Sequence, residues 1–362
     1  MPDLSFSNQG LAIAIATLVM QIAGCNATLP RTVSDHFDGT RFFNRENETG
    51  AYTFIERMKW LWSTKLVEWP EWIDDKKQPP PKKDVALREL RVTHINHATM
   101  LIQVDTVNIL TDPIWSERAS VVSWFGPKRV RAPGVDINDL PCIDVVLISH
   151  DHYDHLDIET LKKLTRMFHP KIIVGLGVKA LLTSEGIEGV EELDWWQRYD
   201  VLPNGIQVVF VPARHGSGRG LFDTNKTLWG GFVVESSVGN IYFAGDTGYG
   251  DFLSEIKQRY PSFRLALLPV GHYEPRWMME PVHMNPDDSV KLHRYLNVQQ
   301  SVGMHFGTFH GTGAHNNETV DQHEADLRIA LKKYDLPETA FWILGFGEGR
   351  DVTRVEPVSG QF

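Results

Sequence analysis

From residue 88 onward, short apolar blocks alternate with polar and glycine-rich stretches, and the period changes from block to block. RVTHI (91–95), TMLIQV (99–104) and VNILTD (107–112) have the length and branched content of strands, with Asp105 and Thr106 at a tight reversal. IDVVLIS (143–149) is continuously apolar, as a strand buried on both faces would be. IETLKKLTRMF (158–168) switches to helical spacing, with Asp157 placed to cap it. Further strands are expected at KIIVGL, IQVVFVP, LWGGFVVE, NIYFAG, LALLPV and SVGMHF, and helices at 251–259, 286–296 and 321–334. No repeat of the solenoid kind occurs. The alternation predicts an α/β sandwich, with two internal sheets and helices outside.

The first 85 residues follow another pattern. Residues 51–66, AYTFIERMKWLWSTKL, set Phe54, Ile55, Met58 and Trp62 at helical spacing, with Trp60, Trp69 and Trp72 close by. Such a helix either packs on the main domain or lies at a membrane surface. Residues 74–84, DDKKQPPPKKD, form a charged polyproline linker. The expected division is a leader over 1–25, an extension over 26–85 and a catalytic domain over 86–362. The apolar run 11–24 is short for a bilayer span and ends in Ile22-Ala23-Gly24-Cys25, which resembles a bacterial lipobox with Cys25 as the lipidated residue. That implies a membrane-anchored lipoprotein of the cell envelope, facing the periplasm. The preceding MPDLSFSNQG has no Lys or Arg and contains Asp3, which leaves a cytoplasmic protein peripheral to the membrane as the alternative.

Composition narrows the function classes. The chain has 362 residues, 42% hydrophobic, with 46 acidic against 36 basic residues and a net charge of -10, a field that disfavours nucleic acid. Two cysteines, Cys25 and Cys142, exclude a disulfide framework. The 15 histidines are the unusual feature, because several crowd beside aspartates.

The densest cluster is LISHDHYDHLD, 147–157, where a buried strand runs into a polar loop and then a helix. His150 and His152 stand two apart and can share one ion from an extended loop; Asp154 and His155 can reach a second. Imidazole and carboxylate are donors that zinc prefers. The HxHxDH run resembles the metallo-β-lactamase fold superfamily, and that resemblance implies three more ligands at later strand ends. They fit His215 in VFVPARHGSGRG, Asp246 in IYFAGDTGY as the carboxylate bridging both ions, and His305 in SVGMHFGTF. Two zinc ions are then expected, one on His150, His152 and His215, the other on Asp154, His155 and His305, with Asp246 shared. A water bridging two such ions loses its proton near neutral pH and becomes the nucleophile.

Longer stretches are similar to N-acylphosphatidylethanolamine-hydrolysing phospholipase D and its bacterial relatives. They include INHATMLIQVDTVNILTDPIWS, KRVRAP, LDWW, DTNKTLWGGFVV, FAGDTGYGDF and YEPRW, and they cover most of residues 91–310. HGSGRGLF and HGTGAHN depart from the mammalian pattern near the expected substrate mouth. The resemblance implies phosphodiester hydrolysis, with Asp154, Asp246 and His283 catalytic and Tyr153 and His283 facing the substrate. It also implies a phospholipid partner and a membrane surface, with a homodimer left open. His94, His97, Asp112 and Arg276 are expected to orient the ligands, and His169, His293 and His323 to lie on the surface. A hydrolase of the same fold acting on a soluble lactone, or a non-catalytic metal-binding lipoprotein, would share the metal motif.

Overall fold

A computed structural model describes residues 32–45, 67–220, 222–310 and 318–353. The run at 11–24, Cys25 and the Trp-rich pattern at 51–66 lie outside the described residues. No helix among the described residues is long and apolar enough to cross a membrane.

The first half of the chain builds β1 (Leu90–Asn96), β2 (Thr99–Val104), β3 (Val107–Thr111), β4 (Val145–Leu147), α1 (Ile158–Phe168), β5 (Lys171–Gly175), α2 (Val178–Ser184) and β6 (Val190–Leu193). The second half builds β7 (Arg198–Tyr199), β8 (Gln207–Val211), β9 (Gly231–Glu235), β10 (Ile241–Phe243), α3 (Phe252–Arg259), β11 (Phe263–Pro269), α4 (Arg276–Met279), α5 (Pro286–Tyr295), β12 (Val298–Met304), α6 (Gln322–Lys333) and β13 (Phe341–Trp342). The last strand, β14 (Gly349–Asp351), crosses back to pair with β1. Strand order is β14-β1-β2-β3-β4-β5-β6 in one sheet and β13-β12-β11-β10-β9-β8-β7 in the other.

Side-chain alternation decides the layers. Met100, Ile102 and Val104 of β2 join the core between the sheets, while Leu101 packs in a second cluster with Leu161 and Leu164 of α1 and Val178 and Leu182 of α2. Both faces of the first sheet are therefore covered, which is why β4 and β5 at its centre read as nearly continuous apolar runs. The Asp105 and Thr106 reversal takes positive φ at both residues, and Val104 pairs with Val107 across it. The Asp157 carboxylate accepts from Thr160 N and caps α1 as expected.

Two expectations need correction. The strand expected over 143–149 keeps a ladder only at Val145–Leu147, because Ser149 N donates instead to the carboxylate of Asp112. His293 and His323 are buried rather than on the surface; His169 is exposed at the end of α1. His293 follows Val290 by three positions on the inner face of α5 and pairs its Nδ1 with Ser301 Oγ at 2.8 Å. His323 stacks on Phe306 with ring centroids 4.1 Å apart.

Residues 32–45 insert Phe37 and Phe42 into the core between the sheets. At the start of the linker Ile73 N donates to Val130 O and Asp75 pairs with Arg131, and near its end Gln103 Nε2 of β2 donates to Lys82 O.

Candidate metal centre

The strand ends converge on one cluster of histidines and aspartates. The loop after β4 supplies His150, His152, Asp154 and His155; those after β8, β10 and β12 supply His215, Asp246 and His305. Gly245, at φ +61, makes the turn into Asp246, and a Cβ there would sit 2.7 Å from the Ser149 Cβ.

The donors lie at ligand spacing. His152 Nδ1 is 2.8 Å from His150 Nε2 and 3.3 Å from His215 Nε2. His155 Nε2 is 3.2 Å from His305 Nε2, and Asp246 Oδ2 is 3.2 Å from the first and 3.0 Å from the second. A tetrahedral ion with bonds near 2.05 Å would separate its donors by roughly 3.3 Å. Asp246 Oδ2 also lies 3.8 Å from His215 Nε2, so this carboxylate faces both groups. Asp154 Oδ2 lies 3.8 Å from both His155 and His305.

The tautomers are fixed from behind. Ser149 Oγ donates to Asp112 Oδ2 at 2.6 Å, so the proton between Ser149 Oγ and His150 Nδ1, 2.9 Å apart, comes from the imidazole. His155 Nδ1 donates to Asp112 at 2.7 Å, and His215 Nδ1 to Val282 O at 3.1 Å. In the neutral form of each ring Nε2 is thereby the lone-pair atom aimed at the cluster, the form in which a cation would be held.

Electrostatics point the same way. Burial opposes ionisation of Asp246, yet His155 and His305 hold it well below the usual carboxylate range. Burial likewise opposes a charge on His155, but Asp246, Asp154 and Asp112 draw its pKa well above the ordinary value. The carboxylates thus demand positive charge at the place where a cation fits. Burial, with crowding by His152 and His155, lowers His215 to about 3 despite Asp246, keeping it neutral as a ligand must be. Asp246 Oδ1 and His305 Nδ1 are buried without hydrogen-bond partners, and no cysteine among the described residues joins the set. An all nitrogen and oxygen set of this kind fits zinc or a similar divalent ion.

The supporting residues sort differently from expectation. Asp112 holds His155, and His97 Nε2 sits 3.2 Å from Asp154 Oδ2, as anticipated. His94 instead packs on Phe306 and Phe346 and bonds the Leu344 and His97 carbonyls, so it touches the backbone of His97 rather than a ligand. Arg276 supports His283 by donating to its carbonyl at 2.8 Å, while His283 Nδ1 stands 3.8 Å from Asp246 Oδ2. The Tyr153 hydroxyl donates to Arg219 O, and its ring lies under the Arg219 guanidinium. It lines a separate cleft of about 630 Å³ with Val121, Val122, Ile158 and Leu181.

Three residues passed over in the sequence also shape the centre. Asp151 accepts from Gly218 N and Thr227 Oγ1, tying the His215 loop to the motif. His272 packs its ring 5.0 Å from His305. Glu318 accepts backbone N–H groups from His272, Tyr273 and Glu274. Burial pushes Glu318 up to about 7 from its ordinary 4.5, against the pull of those donors. A carboxyl raised on folding contributes full stability below pH 4.5 and loses it as pH rises to about 7, a decline of about 3 kcal/mol. Thermal melts from pH 5 to 8 should show that decline, and E318Q, which keeps an acceptor oxygen without charge, should flatten it. An unchanged slope in E318Q refutes the assignment.

The β-lactamase superfamily domain matches residues 107–306. The chain belongs to the metallo-β-lactamase superfamily. It is a metal-dependent hydrolase of that fold, with the candidate ligands described above. Within the superfamily it is 38% identical over 270 residues to N-acyl-phosphatidylethanolamine-hydrolyzing phospholipase D 1 of Caenorhabditis elegans, covering 72% of this chain and 75% of the relative. It is 40% identical over 208 residues to the mitochondrial enzyme of that name in Saccharomyces cerevisiae, covering 56% and 44% of the two chains. The crystal structure of isothiocyanate hydrolase from Delia radicum gut bacteria shares the superfamily fold, with a TM-score of 0.56 at 22% identity, covering 72% of this chain and 98% of that one.

Proposed function

We propose that this superfamily hydrolase holds two zinc ions and cleaves N-acylphosphatidylethanolamine-type phospholipids, releasing an N-acylethanolamine and phosphatidic acid. Water adds across one P–O bond: phosphorus takes the hydroxyl, and the ethanolamine oxygen takes the proton. The carrying observation is the 38% identity to the worm enzyme, which extends over 270 residues, beyond the span of the superfamily domain.

Bound at the centre, the ions would supply Lewis acidity toward water and a phosphoryl oxygen. The chain's own groups do the rest. Asp246 and Asp154 bring the negative charge that the ions require. His283 stands beside Asp246, held through its carbonyl by Arg276. Burial, chiefly, keeps its pKa well below the ordinary value despite Asp246, so it meets substrate as a neutral imidazole able to hydrogen-bond a phosphate or leaving oxygen.

A bilayer substrate requires docking on a surface. Trp124, Phe222 and Trp277 are 65%, 72% and 50% exposed, in the stretch after Asp112, the loop after His215 and the short helix α4 before His283. Large aromatics on the segments around the site support insertion at headgroup level, and a lipidated Cys25 would add a second membrane signal at the cell envelope. Purified protein with measured zinc content should release ethanolamide from N-acylated phosphatidylethanolamine vesicles, and W124A/F222A/W277A should lose about tenfold in vesicle binding. Lactone opening without ethanolamide release would refute the substrate assignment. Unchanged vesicle binding by the triple variant would refute the docking loops.

A further inference from the structure

We infer that Asn44, from the segment ahead of the linker, is a positioning residue for the metal ligand His215, so that residues 32–45 form part of the metal centre's support. The inference rests on the metal-centre reading and is independent of the substrate.

His215 lies in the irregular stretch between β8 and β9, where no ladder satisfies its backbone. Asn44 supplies a partner on each side. Its Nδ2 donates to His215 O at 2.8 Å, and His215 N donates to its Oδ1 at 3.2 Å. Trp229 Nε1 approaches the same oxygen at 3.3 Å. One amide therefore fixes both peptide groups flanking the Cα, while Val282 O fixes the ring through Nδ1. Together these contacts set the direction in which Nε2 points. The task needs a donor and an acceptor on neighbouring atoms, which asparagine has and aspartate and alanine lack.

Asn44 is itself held. Phe42 N donates to Asn225 O, and the Asn225 side chain accepts from Ser217 N, two residues beyond the ligand. Arg45 pairs with Glu255 at 2.8 Å, and its guanidinium lies over Trp195. Upstream, His36 is wedged between Asp35 and Asp194 at 2.6 and 2.8 Å. These contacts join the segment to the LDWW stretch and to the His215 loop, so its register on the core sets where Asn44 sits.

Residues that orient a ligand from behind typically govern metal affinity by about 10- to 100-fold. Zinc titration of full-length protein against a competing chelator should show N44A weakened by that factor at one binding step, with N44D at least as weak because a carboxylate oxygen then faces His215 O, acceptor against acceptor. In metal-free protein, amide exchange in the peptide carrying His215 should accelerate about tenfold in N44A, a change independent of bound zinc. H36N serves as the control: it loosens the same segment without touching His215 and should lower the melting temperature while retaining native zinc affinity. Native affinity and native exchange in N44A would overturn the inference. So would an equal loss of zinc in H36N, which would show that the segment contributes only stability. Absence of zinc binding by the native protein would instead refute the metal-centre reading, and the exchange result would then stand alone as a backbone clamp.

Discussion

On the proposed two-metal reading, replacing Asp246 with alanine strips both metal positions at once and lowers hydrolysis by at least about a thousandfold. Its Oδ2 faces His155 and His305 at 3.2 and 3.0 Å and His215 at 3.8 Å, whereas Asp154 Oδ2 lies 3.2 Å from His97 and 3.8 Å from both His155 and His305. D154A should therefore lose one metal and retain the other. The pair of variants separates a bridging carboxylate from an ordinary ligand, and atomic emission analysis of metal per chain reads the difference. If D246A keeps the set on His150, His152 and His215 occupied at native affinity, Asp246 does not bridge. Charge makes the expected loss severe. Asp246 is the foremost group favouring the charged form of His155, so its removal leaves the cluster short of the negative charge that made room for cations.

The centre was legible because its candidate ligands come in one dense run and then singly at strand ends, each before a change in hydrophobic period. The same logic placed the long elements. β2 and α1 fall where pattern and cap put them, since a six-residue apolar window and a capped amphipathic run leave little choice. Short pieces escaped. β7 and β13 have two residues each, and Arg198–Tyr199 is a strand only because β8 lies beside it. His293 and His323 were misplaced because helix membership does not say which face is covered; their burial follows from the sheet and the helix partner they meet. Asn44 was invisible for a related reason. A polar residue ahead of a linker carries no sign of a backbone 171 positions away. His94 shows the converse error, since nearness to the motif in composition did not put it on a ligand.

Asp112 is where legible and hidden features meet. A D112N variant should lose about 100-fold in metal affinity at the His155 position, with a smaller loss at the His150 position. The carboxylate is fully buried and serves both: it accepts from His155 Nδ1, and from Ser149 Oγ, which in turn receives the His150 imidazole proton. Its other oxygen accepts from Ser149 N where the β4 ladder ends, so it also fixes the start of the motif loop. In asparagine one oxygen becomes an NH₂ group. If that group faces His155, two donors meet and the ring must flip or change tautomer, turning its lone pair away from the ion; if it faces Ser149 N, the loop loses its anchor. Either arrangement leaves a buried donor unpaired at about 1–3 kcal/mol. D112A should cost more, about 3–5 kcal/mol, because the charged His155 of the metal-free protein then loses a close counter-charge. Chemical denaturation with and without zinc separates the two contributions: zinc should stabilise native protein strongly, D112N weakly and D112A least. Equal zinc stabilisation of native protein and D112N would mean that the histidines hold their orientation without Asp112.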